Sequence, residues 1–329
     1  MANNNYLHTE NLSIGYKDKT VLSNLNLNIK KGQMICLLGE NGSGKSTLIR
    51  TLLGLQDQLD GAIYINDKKL NETNTKELAK QISIVLTSTI PPNNFTVFEL
   101  VALGRIPYSN WLGKLTTIDT NKIKEAIALV GITQFTNRQI NTLSDGERQR
   151  VMIAKALAQD TNLIILDEPT AHLDVTNRVA LLSLLKKLAK ETNKGILLST
   201  HELELAIQVA DQIWLINRDK NLIKGAPEDL VLTEVFGDTF KDENVFFDLK
   251  TGAFRIENRT DKLVFLVDQS VKGFWTKQAL EKEGYSITEN RNTPTQVFID
   301  NNQWILKTQN QSITIDSIEN LVIRLNEIN

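Results

Sequence analysis

GENGSGKST, residues Gly39–Thr47, matches the spacing G-x-x-x-x-G-K-S/T, continues the apolar run MICLLG and opens the apolar stretch STLIRTLLGL. Strand, glycine-rich turn and helix in that order make a phosphate cradle. Glycines at 39, 42 and 44 let backbone N–H groups turn inward onto phosphate oxygens, and the helix N-terminus adds its partial positive charge. Lys45 is expected to reach the β- and γ-phosphates, and the Ser46 hydroxyl to coordinate Mg²⁺. Glu40, Asn41, Ser43 and Thr47 complete the loop around the nucleotide. A glycine-rich turn with a chance lysine is the bland alternative; strand, spacing and helix together oppose it.

Outward from this loop, short apolar runs recur: ISIVL from 82, LIILD from 163, GILLS from 195 and IWLIN from 213. Helical periodicity fills the gaps, as in TNRVALLSLLKKLAKETN from 176, where Val179, Leu182, Leu185 and Leu188 are expected near one face. Continuously apolar strands alternating with helices imply an α/β fold with a largely parallel sheet covered on both sides. Two regions break the rhythm. Residues 91–155 read as a mostly helical insertion, through TVFELVALGR, TNKIKEAIALVG and SDGERQRVMIAKALAQ. From 246 to 329, short strands (FFDLKTGAFRIE, KLVFLVD, TQVFID, QWILKTQ, SITID) and helices around TKQALEKEG and SIENLVIRLNEI suggest a small α+β domain. The expected division is therefore 1–245, with 91–155 inserted, and 246–329. Trp275 and Trp304 are expected in the core of the second part.

LIILDEPT places Asp167 at the end of an apolar strand, where the Mg²⁺-associated carboxylate of a nucleotide hydrolase sits. Glu168 follows, placed to orient and deprotonate water. LSTHE puts His201 at the end of another strand, suited to a hydrogen bond to the γ-phosphate rather than to a metal. LSDGERQR sets Ser144 and Gly146 at a helix N-terminus, a second anion site. One loop already holds a triphosphate, so the second site serves either another group in the same monomer or the nucleotide of another molecule.

This ordered set of phosphate loop, LSDGERQR, LIILDEP, AHLD and LSTHE resembles the ATP-binding subunit of an ABC transporter over about residues 5–245. The resemblance implies a head-to-tail homodimer in which Ser144 and Gly146 contact ATP in trans. Asp174 of AHLD would communicate between the two sites, and Tyr16 in SIGYKDK would stack on adenine. It also implies ATP and Mg²⁺ as ligands and catalytic roles for Glu168, His201 and Lys45. Two departures stand out. The signature reads LSDGE where LSGGQ is commonest, and Thr87 falls where the family has a glutamine that binds Mg²⁺ and positions water. TVFELVALGRIPYSNWLGKL is similar to the helical-domain entry of subunits that drive uptake of iron siderophores, haem and cobalamin. There, this region faces a membrane permease, with a substrate-binding protein engaged indirectly; packing of the insert by Tyr108 and Trp111 explains the same pattern.

Composition agrees. The chain has 329 residues, 41% hydrophobic and 23% charged, with 37 basic against 39 acidic side chains. No overall basic field draws it to nucleic acid. The one cysteine, Cys36, excludes an internal disulfide framework and suits a small core residue. The N-terminus lacks the basic flank and apolar block of a signal peptide, and no apolar run approaches the roughly 20 residues of a bilayer span. A peripheral place on the cytoplasmic face of the cell membrane is expected. Soluble ABC proteins acting on ribosomes or DNA carry two fused copies or long coiled coils, and neither is present. A regulatory module that binds ATP without turnover is opposed by Glu168 and kept open by Thr87.

Overall fold

In the computed structural model, which describes residues 5–86, 95–109, 114–242, 244–256, 262–300 and 303–328, the chain forms two compact units, 1–240 and 241–329. The first opens with β1 (Asn5–Tyr16), β2 (Lys19–Leu25) and β3 (Asn28–Lys30). After β4 (Met34–Gly39) and α1 (Lys45–Leu52), β5 (Asp60–Ile65) and β6 (Lys68–Lys69) return to this layer. Its pairings are all antiparallel, in the order β2-β1-β5-β6 with β3 also on β1. Sequence patterning does not announce this layer. Its strands mix apolar and polar residues without a continuous apolar run, as in HTENLSIGY, because they are buried only in part.

The second sheet carries the phosphate loop. After α2 (Thr75–Leu78) come β7 (Ile82–Val85), then α3 (Val97–Ala102), α4 (Thr117–Leu129) and α5 (Asp145–Ala158) of the helical insertion. The chain re-enters the sheet with β8 (Leu163–Asp167), α6 (Val175–Glu191), β9 (Gly195–Ser199), α7 (Leu203–Val209) and β10 (Gln212–Ile216). It closes the unit with β11 (Leu222–Gly225), α8 (Pro227–Leu232) and α9 (Val235–Thr239). Strand order is β11-β10-β4-β9-β8-β7, parallel throughout except for the β11 edge. Every residue of β4 and β9 is buried, the signature of parallel strands covered on both faces. Helix α1 joins the two sheets: Leu48, Ile49 and Leu52 share one core with Leu7 and Ile14 of β1 and Ile35 and Leu37 of β4.

On α6 the buried stripe is Leu181, Leu182, Leu185, Leu188 and Ala189, and Val179 is 47% exposed. The expected face containing Val179 is therefore corrected. Steps of three residues advance 300°, so by Leu188 the row has drifted half a turn away from Val179.

The second unit begins with a hairpin of β12 (Val245–Asp248) and β13 (Ala253–Ile256). There follow β14 (Leu263–Phe265), α10 (Val271–Lys282), β15 (Ser286–Thr288), β16 (Gln296–Asp300), β17 (Gln303–Lys307), β18 (Ser312–Ile315) and α11 (Ile318–Ile328). The sheet order β15-β14-β16-β17-β18 is parallel at its first two pairings and antiparallel at the rest. Val264, Leu280, Tyr285, Trp304, Leu306 and Leu325 form a core of its own. Trp304 lies within it and donates its Nε1–H to Thr276 Oγ1 at 2.7 Å. Trp275 does not: it is 59% exposed on α10, edge-on to Phe274, because the neighbouring Thr276 takes the inward position. Among the described residues, no helix is long and apolar enough to cross a membrane.

Candidate active site

Strand β4 delivers the chain to the phosphate loop at Gly39, and the loop ends at Gly44 with φ +117°, a backbone that side chains rarely adopt. A Cβ on Gly44 would also stand 2.6 Å from Val21 Cγ1, so glycine is required twice over. Lys45, the first residue of α1, is buried and folds back into the loop, donating to Gly39 O at 2.8 Å and Glu40 O at 3.1 Å. Burial lowers its pKa, while the nearby Glu168 and Asp167 carboxylates oppose that shift. Ser43 Oγ is buried in the same loop and finds no hydrogen-bond partner among the described residues. A buried ammonium resting on two carbonyls beside an unsatisfied hydroxyl fits a polyanion such as a nucleotide triphosphate. Ser46 is exposed at the first turn of α1, and Glu40, Asn41 and Gly42 are not buried. Tyr16, at the end of β1, is 56% exposed, with its hydroxyl 3.5 Å from Thr47 Oγ1. It borders the loop as an open aromatic face and is not a buried strand residue.

Two neighbouring parallel strands supply the acidic side of the site. Asp167 ends β8 directly opposite Ser199, which ends β9. Ser199 donates its hydroxyl to Asp167 Oδ1 at 2.6 Å and accepts the Glu168 N–H at 2.9 Å. Glu168 turns into the left-handed region at φ +48°, a conformation that costs about 1–3 kcal/mol and swings its carboxylate out of the strand direction. Glu168 Oε1 lies 2.6 Å from His201 Nε2. A carboxylate held against an imidazole, with an ammonium close by, can take a proton from water beside a bound anion. Arg178 braces the neighbourhood from α6 through Glu202 Oε1 at 2.6 Å and Leu173 O at 2.7 Å.

Ser144, Gly146 and Asp174 gather in a second group at the starts of α5 and α6. Ser144 caps α5 in a capping box with Glu147, which accepts the Ser144 N–H at 2.8 Å. Asp174 caps α6, accepting the Asn177 N–H and the Asn177 side-chain amide, both at 2.8 Å. The Asn177 side chain lies over Gly146, where an added Cβ would meet it at 3.0 Å. Thr87 lies outside the described residues, as does Trp111.

The sequence family described as ABC transporter matches residues 22–171, and the family described as iron ABC transporter C-terminal domain matches 261–326. An uncharacterized ABC transporter ATP-binding protein of Methanocaldococcus jannaschii is 37% identical over 283 residues, covering 85% of this chain and 98% of that protein. The chain belongs to the ATP-binding subunits of ABC transporters. The iron(3+)-hydroxamate import ATP-binding protein of Bacillus subtilis is 36% identical, across 75% of this chain and 92% of its own length. Among solved structures, a metal-chelate type ABC transporter in an inward-facing conformation matches with TM-score 0.64 at 30% identity, covering 72% of this chain and 89% of that one. ABC ATP-binding subunits hydrolyse ATP to power transport, and this chain is such an ATPase.

Within this ABC subunit, some neighbours of the loop are invisible to motif reading. Arg218 Nε pairs with Glu40 Oε1 at 2.9 Å, and Lys220 Nζ donates to Gly42 O at 3.1 Å. Both come from the β10–β11 turn, 178 residues further along the chain, and no spacing rule reaches that far. Ser199 carries a weak signal: it is the one polar residue of GILLS.

Proposed function

We propose that this chain energises an importer of ferric siderophores. The single observation that carries the catalytic part is the 2.6 Å Glu168–His201 pair at the ends of adjacent strands, beside the buried Lys45. The cargo class is supported by the B. subtilis hydroxamate relative and by the match of residues 261–326 to an iron-transporter C-terminal domain.

Lys45 exchanges its two carbonyl partners for β- and γ-phosphate oxygens, joined by loop N–H groups and the Ser43 hydroxyl. Tyr16 stacks on adenine. Ser46 and Asp167 would hold Mg²⁺, which would neutralise phosphate charge when bound. His201 moves from Glu168 to the γ-phosphate, and the freed Glu168 carboxylate accepts the proton of the attacking water, a role worth about 10²–10⁴-fold. Subunits of importers pair and work with permease components. Here Ser144 and Gly146 close over the ATP of a second copy, and Asp174 links the two sites. The helical insertion 91–155 meets the permease, which keeps the chain peripheral on the cytoplasmic face of the membrane and links it indirectly to a substrate-binding protein. Thr87 in place of glutamine slows turnover, because its hydroxyl is too short to span the same distance.

The purified chain turns over ATP, and Glu168→Gln lowers kcat by at least about 10²-fold with ATP binding retained. Tagged Glu168→Gln protein from native membranes brings down a polytopic permease in near-equimolar amount. Undiminished turnover in the variant removes Glu168 as base, and recovery of soluble partners alone removes the importer.

A further inference from the structure

We propose that Ser199 is a positioning residue for ATP hydrolysis, its single hydroxyl fixing the Asp167 carboxylate and the Glu168 main chain relative to each other. The inference rests on the reading above, in which Asp167 holds the metal ion and Glu168 is the base. Ser199 is fully buried at the end of a strand whose other residues are Gly, Ile, Leu and Leu. A hydroxyl there must be paired, and this one works in both directions: it donates to Asp167 Oδ1 at 2.6 Å and accepts from Glu168 N at 2.9 Å.

The arrangement follows from register and backbone. Parallel pairing sets Ser199 opposite Asp167, the last ladder position of β8. One residue later Glu168 enters φ +48° and leaves the strand, and its N–H is accepted by the Ser199 side chain. The hydroxyl therefore replaces a ladder acceptor at the residue that bends the base toward His201. The same atom fixes one oxygen of the neighbouring carboxylate, which sets the direction of the other. One side chain thus governs the orientation of the metal-holding group and of the general base, without reaching substrate itself. Hydrogen-bond partners behind metal-ligating carboxylates have this role generally, and losing one costs about 10–100-fold in metal affinity or activity.

Ser199→Thr and Ser199→Val test this, because they add similar bulk and differ in the hydroxyl. Turnover is read as kcat and KM for Mg·ATP. Metal affinity is read separately, by Mn²⁺ electron paramagnetic resonance titration of the ADP-bound full-length chain, which needs no turnover. Ser199→Val lowers kcat and weakens Mn²⁺ binding, each by about 10–100-fold, with ATP binding in the absence of metal unchanged; Ser199→Thr restores both to within about threefold of wild type. If valine disrupts the strand, Ser199→Ala, which cannot overpack, carries the same expectation. Equal behaviour of Val and Thr, or unchanged Mn²⁺ affinity in Ser199→Val or Ser199→Ala, overturns the inference. A wild-type chain that does not hydrolyse ATP overturns the reading it rests on and this inference with it; a wild-type ATPase indifferent to the hydroxyl overturns only the inference.

Discussion

At the scale of single residues, the site is built from groups whose surroundings hold them in chemically demanding states. Lys45 is a buried ammonium held by two loop carbonyls, and Glu168 is a non-glycine residue held at positive φ. Both are tolerable because a neighbour satisfies what the backbone gives up. Glycine at 44 has no such substitute. Gly44→Ala combines φ strain with a collision against Val21, so we expect a loss of about 1–3 kcal/mol, read from the urea midpoint at unchanged slope. Cys36 is the opposite case, a side chain made inert by its place: burial in β4 pushes its thiol up to about 12. Ellman's reagent should leave the native protein unlabelled at neutral pH and label one thiol on denaturation. Fast labelling of the native chain would show that β4 opens.

At the scale of elements, the insertion is organised by its helix starts. Thr96, Thr116 and Ser144 each open a helix with a capping box, closed by Glu99, Asp119 and Glu147. This accounts for one departure from the commonest signature. Glu147, where glutamine is usual, still reaches back to the Ser144 N–H, so the start of α5 keeps its shape. Asp119 does more than cap. It also receives Arg105 Nε at 2.8 Å in a buried pair, while Arg105 reaches Ala158 O at the end of α5 and stacks on Tyr108. The Thr116 hydroxyl and N–H, then Arg105, hold the Asp119 carboxyl down at about 2 against the opposing pull of burial. A depressed carboxyl stabilises the fold fully above its unfolded pKa, near about 4, and the contribution disappears as pH falls through the folded value. Wild type should therefore exceed Asp119→Asn in thermal stability by a margin that is constant above about pH 4 and shrinks toward about pH 2. A margin independent of pH across that range would remove Asp119 as the titrating group.

At the scale of the whole molecule, the two units have separate cores, and every residue assigned to ATP chemistry lies in the first. Residues 241–329 expressed alone should unfold cooperatively, and a chain ending at residue 240 should keep its ATP turnover per site; a non-cooperative fragment or an inactive truncation would show that the units fold or work only together. Sequence by itself determined the parallel layer and singled out the glycine-rich loop and the strand-end acids on which the proposed chemistry rests. Both rest on local rules: continuous apolar runs mark strands buried on two faces, and phosphate cradling demands glycines and a lysine at fixed spacing. The antiparallel layer escaped because its strands mix polar with apolar residues and carry no continuous apolar run. Val179 and Trp275 were misplaced because periodicity names a stripe without fixing which residues at its margin are covered. Only the tertiary structure decided that Ser199 sits against Asp167 and Glu168, and that Arg218 and Lys220 reach Glu40 and Gly42. These contacts depend on strand order and register, which arise from the packing of segments far apart in the chain and leave no spacing to read.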